Sequence, residues 1–226
     1  AVEGEKTWVD GDNQDGKRPT SIKVKLYKKV EGKEKEQVIT QEVKADDQGN
    51  WKYKFERLPK YEGGKIIEYS VEEEAVDGYK VDYGTPEIKD GIIKANIKNT
   101  HDPEETAVEG EKTWVDGDNQ DGKRPTSIKV KLYKKVEGKE KEQVTTKEVK
   151  ADDQGNWKYK FDNLPKYEGG KLIEYSVEEK AVDGYTTTIN GTNITNKHTP
   201  EKTFVEGEKT WDDANNQDGK RPEKIT

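Results

Sequence analysis

The chain has 226 residues, of which 39% are charged and 28% are hydrophobic, and its formal net charge is −7. It contains no cysteine, which excludes disulfides and thiolate metal sites. Acidic and basic residues are interleaved, so the chain lacks the basic stripe that a nucleic-acid-binding protein would need. No apolar stretch approaches the length needed for membrane insertion, and no signal peptide is visible.

An internal repeat dominates the sequence. Residues 1–79 and 107–185 differ at only six positions, and the start of the same unit recurs near Thr203. Units of about 100 residues are large enough to fold separately. We therefore predict a first repeat at 1–103, a second repeat at 104–200 and the truncated start of a third repeat at 201–226. Because the chain has no initiator methionine and stops inside the third repeat, we expect it to be a piece of a longer protein.

Apolar and charged residues alternate along each repeat, as in β-strands with one buried face. In the first repeat this pattern begins at Val2, returns at Ile22–Leu26 and Trp51–Phe55, and appears again at Ile67–Glu73 and Ile93–Asn99. Turn signals separate these stretches: Asp15-Gly16, Gln48-Gly49-Asn50, Gly63-Gly64, Asp77-Gly78 and Asp90-Gly91. We predict an all-β fold in which about seven short strands per repeat form a two-sheet, immunoglobulin-like β-sandwich.

The acidic turn Asp10–Asp15 only partly matches the pattern of a calcium-binding loop. Gln14 occupies a ligand position of such a loop, and no glutamate closes the pattern at Ser21. We therefore predict a solvated acidic turn. Nearby, Trp8 is predicted to belong to the core, as is Trp51.

The second repeat is shorter than the first near its end. The spacing between equivalent lysines is 112 − 6 = 106 residues and then 209 − 112 = 97, and the nine missing residues lie between Tyr185 and Asn196. Asn190-Gly191, a strong hairpin signal, is predicted to replace the turn at Asp90-Gly91.

Short polar links join the units at His101–Thr106 and His198–Thr203. Pro103 and Pro200 stiffen these links, which favours a semi-extended rod over a loose string. The two histidines lie too far apart in the chain to predict a metal site. The third repeat supplies a first strand and the turn after it, but no sheet that this strand could complete.

Three predicted strands place a polar residue on the face that their apolar residues mark as buried. The first strand carries Lys6, a middle strand carries Glu73, and the last strand carries Asn99. An unpaired buried charge costs several kcal/mol, so such residues are expected to be paired or to do chemistry. Lysine, asparagine and a carboxylic acid are the set needed to form an amide cross-link. The second repeat contains the same set: Lys112, Glu179 and Asn196.

The series KTWVDGDNQDGKRP, IKVKLYKK, WKYKF, EYSVEEEAVDGY and IKNTH resembles the Cna protein B-type domain of Gram-positive surface proteins and pili, known from the staphylococcal collagen adhesin. Within it, Tyr69, Val71 and Glu73, followed by Gly78-Tyr79, resemble the E-box of pilins. The spacing between the glutamate and the Gly-Tyr pair is one residue shorter than in pilins. Glu72 and Glu178 are therefore alternative acids to Glu73 and Glu179.

The resemblance implies an isopeptide bond between a lysine of the first strand and an asparagine of the last, assisted by the carboxylic acid. By position, the bonds would join Lys6 to Asn99, with Glu73 as the proton shuttle, and Lys112 to Asn196, with Glu179. In the third repeat Lys209 would remain unpaired, because its partners would lie beyond Thr226.

The resemblance also implies an extracellular, cell-wall-anchored surface protein in which these repeats form a structural stalk. Its partners would be the neighbouring repeats, a distal adhesive domain of the same chain and a host matrix ligand. The near-identity of the copies favours the stalk. The alternatives are a module that itself binds a host ligand and a pilus subunit domain. Because no hydrolase triad, phosphate-binding loop or metal cluster is present, we predict neither cofactor nor enzymatic turnover.

Overall fold

In the computed structural model, which describes residues 1–226, the chain is all-β, as predicted, and contains no helix. The first repeat contains ten strands: β1 (Val2–Val9), β2 (Ile22–Val30), β3 (Glu36–Val43), β4 (Trp51–Phe55), β5 (Tyr61–Glu62), β6 (Lys65–Glu73), β7 (Lys80–Tyr83), β8 (Glu87–Lys89), β9 (Ile92–Lys94) and β10 (Ile97–Thr100). The second repeat contains eight: β11 (Glu105–Val115), β12 (Ile128–Val136), β13 (Glu142–Val149), β14 (Trp157–Pro165), β15 (Tyr167–Glu168), β16 (Lys171–Glu179), β17 (Thr186–Asn190) and β18 (Asn193–Lys197). These counts exceed the predicted seven because several strands are only two or three residues long.

Each repeat has two sheets whose apolar faces meet. In the first repeat one sheet has the order β7-β10-β1-β9-β8, with β4 also paired to β1, and the other has the order β3-β2-β6-β5. The second repeat has the sheets β14-β11-β18-β17 and β13-β12-β16-β15. In both repeats the first strand and the last strand are parallel neighbours, so the chain enters each repeat at one end of the sandwich and leaves it at the opposite end.

The core of the first repeat comes from the alternating residues that the sequence predicts to be buried. Val24 and Leu26 of β2 and Ile97 of β10 are completely buried. Trp51 is buried, and Trp8 packs against it with the ring centroids 5.3 Å apart, so both tryptophans belong to the core as predicted. The equivalent residues form the second core.

The ends of the two repeats differ in a way that the sequence did not predict. Asp90-Gly91 joins β8 to β9, a short hairpin that only the first repeat contains. Asn190-Gly191 lies in the turn that joins β17 directly to β18, the counterparts of β7 and β10. The prediction that these turns are equivalent is therefore wrong: the nine extra residues of the first repeat form an additional hairpin, not a longer version of one turn.

The third repeat forms its turn but not its strand. Residues 201–211 have no strand structure, which corrects the expectation of a first strand there. A strand needs an edge that satisfies its backbone groups, and no such edge is supplied here. The turn that follows is formed, with Arg221 paired to Asp213 at 2.5 Å. No helix in the structure has the length and apolar character needed to cross a membrane.

Candidate cross-linking sites

Lys6 and Glu73 meet in the core of the first repeat, between its two sheets. Lys6 lies on β1, and Glu73 lies at the end of β6 in the facing sheet. Lys6 Nζ is 2.9 Å from Glu73 Oε1, and the two side chains are 0% and 1% exposed. The face predicted from the two-residue period is therefore the face on which both residues lie.

Asn99 lies next to this pair on β10. It is 1% exposed, and in the parallel pairing of β1 with β10 it stands opposite Trp8, while Lys6 stands opposite Ile97. Lys6 and Asn99 are thus diagonal neighbours on one face of the sheet, with their Cα atoms separated by about 8 Å from strand spacing and rise. A lysine side chain spans that distance.

The polar atoms of these three residues have no hydrogen-bond partners. They are Lys6 Nζ, both carboxyl oxygens of Glu73 and both amide atoms of Asn99. The Lys6–Glu73 contact has the distance of an ion pair, but its angles are not those of a hydrogen bond. Buried polar groups without partners are rare in native proteins, and each calls for a physical reason.

Burial acts on the lysine in the direction that nucleophilic attack requires. Desolvation lowers the pKa of Lys6 below its ordinary value, against the opposing effect of the nearby Glu73 carboxylate. Lys6 Nζ also lies 4.4 Å from the centroid of the Trp8 ring. A lower pKa raises the fraction of neutral amine, which is the nucleophilic form.

The second repeat contains the same arrangement. Lys112 Nζ is 3.2 Å from Glu179 Oε1, and both side chains are 0% exposed. Asn196 is fully buried on β18, opposite Trp114. Burial lowers the pKa of Lys112 to about 8, despite the opposing charge of Glu179.

The alternative acids lie outside these clusters. Glu72 is paired with Lys35 at the surface, and its side chain is 47% exposed. Glu178 is paired with Lys141 at 2.7 Å, with its side chain 48% exposed. Both point away from the buried lysines, so the structure brings only Glu73 and Glu179 to them.

Asn99 and Lys112 are only 112 − 99 = 13 residues apart in the sequence, but they lie in different sheets. Lys209 lies apart from both clusters. It is exposed, and its Nζ donates to the Thr210 carbonyl at 2.6 Å.

The prediction of a solvated acidic turn is wrong at both ends of Asp10–Asp15. Asp10 is 2% exposed and accepts hydrogen bonds from Arg18 Nη2 at 2.6 Å and from the Tyr79 hydroxyl at 2.8 Å. Burial alone would raise the pKa of Asp10, but Arg18, the Asn13 N–H and Tyr79 together lower it to about 2. Tyr79 comes from a distant part of the sequence, and Arg18 lies beyond the acidic stretch, so the acidic pattern alone misleads.

At the other end of the turn, Asp15 Oδ2 lies 2.8 Å from His101 Nε2 and accepts a hydrogen bond from the Glu104 N–H. Both histidines thus have a role that sequence analysis missed: His198 meets Asp121 in the same way. The sequence did contain a sign of this pairing, because the second repeat has Asp121 and His198 at the places of Asp15 and His101. No group of three or more His, Asp or Glu side chains is arranged to hold a metal ion.

A second residue missed by sequence analysis is Thr187. Its hydroxyl is 3.0 Å from Glu179 Oε2, and the residue stands opposite Asn196 in the sheet. Val81 occupies the equivalent place opposite Asn99 and has no hydroxyl to offer.

Comparison with known proteins agrees with this architecture. The model of the Cna protein B-type domain matches residues 2–100, 108–197 and 205–226. A collagen adhesin of Staphylococcus aureus is 43% identical over the whole chain, which spans 18% of that protein's length.

Among solved structures, two B repeat units of the collagen-binding protein of S. aureus match with a TM-score of 0.67 and 43% identity, covering 97% of this chain and 55% of that one. A single B repeat unit of the same protein is 40% identical, with a TM-score of 0.37, covering 88% of this chain and 97% of that one. The family match, which extends over both full repeats and the third segment, confirms the resemblance seen in the sequence: the chain belongs to the Cna protein B-type domain family.

Proposed function

We propose that this chain is part of the stalk of a bacterial cell-surface adhesin, and that each complete repeat closes itself with one isopeptide bond. The bonds join Lys6 to Asn99 and Lys112 to Asn196. The observation that carries the proposal is the buried lysine, glutamate and asparagine in each core, whose polar atoms largely lack hydrogen bonds. A reaction that joins two of them would remove the buried charge and the unsatisfied groups together.

The chemistry uses only these three side chains. A proton passes from Lys6 to Glu73, giving a neutral amine and a carboxylic acid. The amine nitrogen attacks Cγ of Asn99 while the acid donates a hydrogen bond to the amide oxygen, which stabilises the developing oxyanion. The Nζ–Cγ bond forms, the Cγ–Nδ2 bond breaks, and Nδ2 leaves as ammonia after taking a proton that Glu73 relays from the attacking nitrogen.

The fold supplies proximity, because β1 and β10 hold the reacting groups on one buried face. The bond forms once per repeat, so this is self-modification and not turnover. Closing a loop of nearly a whole repeat stabilises the folded state by roughly 4–5 kcal/mol in the chain-entropy model. It replaces the disulfides that a chain without cysteine cannot form.

A mechanical role follows from the position of the bond. A force applied to the two ends of a repeat reaches the first strand and the last strand, which are neighbours in one sheet. A covalent link between these strands would carry the load past the rest of the sandwich. This supports extension under load as the function of the array.

The location and ligand of the whole protein are also part of the proposal. A relative named a collagen adhesin supports an extracellular, cell-wall-anchored protein with collagen as the host ligand. We assign ligand binding to a distal domain of the longer protein, and the stalk to the repeats.

Intact mass spectrometry tests the cross-links. The denatured chain should be lighter than its sequence mass by two ammonia molecules. Peptide mapping should recover Lys6 joined to Asn99 and Lys112 joined to Asn196. A mass equal to the sequence mass, or a peptide in which Asn99 is joined to Lys112, would refute the assignment.

A further inference from the structure

The two repeats touch each other through a small surface beside the linker. We call the loop Gln14–Lys17 the socket of the first repeat and the turn Lys166–Gly170 the plug of the second. The Gly170 N–H donates to the Gln14 carbonyl at 2.9 Å. A Cβ atom on Gly16 would lie 2.6 Å from the Gly170 Cα, so the two backbones approach as closely as glycines allow.

The linker residue Glu104 is bound to both sides of this joint. Its carboxylate accepts from Lys17 at 2.8 Å and from Lys166 at 2.9 Å, and its N–H donates to Asp15 at 2.8 Å. The two ammonium groups lower the pKa of the Glu104 carboxyl to about 2, so it stays charged at neutral pH. The direction in which the second repeat leaves the first is therefore fixed by contacts on both sides of one residue.

The second repeat carries the same socket, at Gln120–Lys123, and this socket is empty. Its inner contacts are already formed: Asp121 binds His198 at 2.8 Å and the Glu201 N–H at 2.9 Å, and Lys123 binds the Glu201 carboxylate at 2.8 Å. No atom lies within 4 Å of the place where a Cβ on Gly122 would stand.

The linker glutamates beside the two sockets also differ in exposure, as expected if one socket is occupied and the other is empty. The Glu201 side chain is 78% exposed, against 37% for Glu104, because only Glu104 has a lysine of the following repeat beside it.

The first repeat carries an unused plug, at Lys60–Gly64. Tyr61 in this plug is 55% exposed, whereas its counterpart Tyr167, at the occupied joint, is half-buried. No atom lies within 4 Å of a Cβ placed on Gly64. Each repeat thus has a socket at the end that faces the following repeat and a plug at the end that faces the preceding repeat. This head-to-tail arrangement can extend along the chain without closing into a ring.

We propose that this surface is a specific docking site between consecutive repeats, and that the empty socket at Gln120–Lys123 takes the plug of a complete third repeat. Exposed ion pairs contribute little by themselves. The short linker keeps the plug close to its socket, so a weak but well-shaped contact suffices. The proposed joint is tested separately from the cross-links. Distances between the repeats test the joint, whereas intact mass tests the cross-links.

The chain offers a matched pair of variants for this test. Gly16 and Gly122 have the same left-handed backbone, with φ of 69° and 67°, but only Gly16 has a neighbour across a joint. Because the chain has no cysteine, spin labels can be placed at Glu34→Cys and Glu140→Cys, both exposed and outside the hydrogen bonds and ion pairs that cross the joint. Pulsed electron spin resonance then measures the distribution of distances between the repeats.

The parent and the Gly122→Ala variant should give one narrow distribution, and Gly16→Ala should broaden it about twofold towards that of a flexible linker. Glu104→Gln should broaden it less, and Glu201→Gln should leave it unchanged. A broad distribution in the parent, or equal effects of Gly16→Ala and Gly122→Ala, would overturn the proposal.

The empty socket is tested in a longer chain, in which residues 104–200 are repeated directly after Pro200. There the distance between Glu140→Cys and its counterpart in the appended copy should be as narrowly distributed as at the first joint. Gly122→Ala, silent in the 226-residue chain, should now broaden it. If the substitution stays silent there, the second socket does not receive a following repeat.

Discussion

The two repeats place the same three buried polar residues in the same positions, although the chain reaches the last strand by different routes. The first repeat inserts the hairpin β8–β9 before β10, whereas the second turns directly from β17 into β18. Lys6 still meets Glu73, and Lys112 still meets Glu179, at 2.9 and 3.2 Å. The position of each candidate site is thus set by the paired strands and not by the connection that precedes the last one.

The repeats differ in what surrounds the acid. In the second repeat the Thr187 hydroxyl lies 3.0 Å from Glu179 Oε2. In the first repeat Val81 takes that place, and both carboxyl oxygens of Glu73 lack a hydrogen bond. The molecule therefore contains two versions of one site, one with and one without a hydrogen bond to the acid, and each serves as an internal control for the other.

The largest expected effect comes from removing one acid. In Glu73→Gln the side-chain volume is kept, but no proton can be shuttled, so the first repeat should form no bond while the second forms its own. The intact mass should then fall by one ammonia and not by two. Glu72→Gln is the matched control and should lose both ammonia molecules. A normal yield of the Lys6–Asn99 peptide from Glu73→Gln would show that a group other than Glu73 transfers the proton.

The next effect concerns the mechanical independence of the repeats. Asn99→Ala should leave the first repeat without a cross-link and lower its free energy of unfolding by roughly 4–5 kcal/mol. In single-molecule pulling, that repeat should release its full length, at about 3.3–3.6 Å per residue, while the second repeat does not extend. Asn196→Ala should reverse the pattern. If both repeats stay inextensible in either variant, the cross-links do not carry the load.

A smaller effect separates the two versions of the site. A hydrogen bond to the ionised acid favours the unreactive ion pair over the neutral amine and acid, so Thr187→Val should speed bond formation in the second repeat. The expected change is about tenfold, from a hydrogen bond to a charged group weakened by partial exposure. Val81→Thr should slow the first repeat by a similar factor.

The rates can be followed by pulse-labelled cell-free synthesis, quenching in denaturant and mass spectrometry of each repeat's linked peptide. The reciprocal pair distinguishes the hydrogen bond from a general packing change, because the two substitutions should act in opposite directions. If both substitutions slow bond formation, or if neither changes its rate, then the Thr187 hydrogen bond does not control the rate.

The alternation of side chains along strands was enough to predict the all-β fold and the buried faces of Lys6, Glu73 and Asn99. It works because the period of two is a local property of the backbone. The role of Thr187 could not be predicted, because it depends on which residue of a neighbouring strand lies opposite Asn196. The register between two strands is fixed when they pair in the folded repeat, and no local sequence pattern specifies it.

The same limit explains the error at the acidic turn. Asp10 and Asp15 look solvated beside other polar residues, but Tyr79 and His101 reach them only in the folded repeat, and the pairing of Asp10 with Arg18 is not visible in the acidic pattern itself. The contact between Gly16 and Gly170 lies further still from any local pattern, since it joins two repeats. Sequence alone therefore predicted the cores of the repeats better than their ends.

The smallest expected effect is a pH dependence at these ends. His101 lies 2.8 Å from two acceptors, with Nδ1 at the Gly78 carbonyl and Nε2 at the Asp15 carboxylate, so only the imidazolium can donate to both. The hydrogen bond to Asp15 raises the pKa of His101 above its ordinary value, against the effects of burial and of nearby Lys17. Its contribution to stability is therefore complete below the unfolded pKa of about 6.5 and is lost as pH rises through the higher folded pKa.

The second joint provides the comparison, because His198 makes the same contacts but its partner Asp121 is more open to water. The Asp121 side chain is 14% exposed, against 1% for Asp15. Water screens the more exposed pair more strongly, so we expect both histidines to titrate above the ordinary value and His101 to titrate higher than His198. Their NMR titration curves measure this directly, with His101→Gln and His198→Gln assigning the signals. The reverse order, or a His101 pKa at or below the ordinary value, would show that the Asp15 contact does not hold the imidazolium in solution.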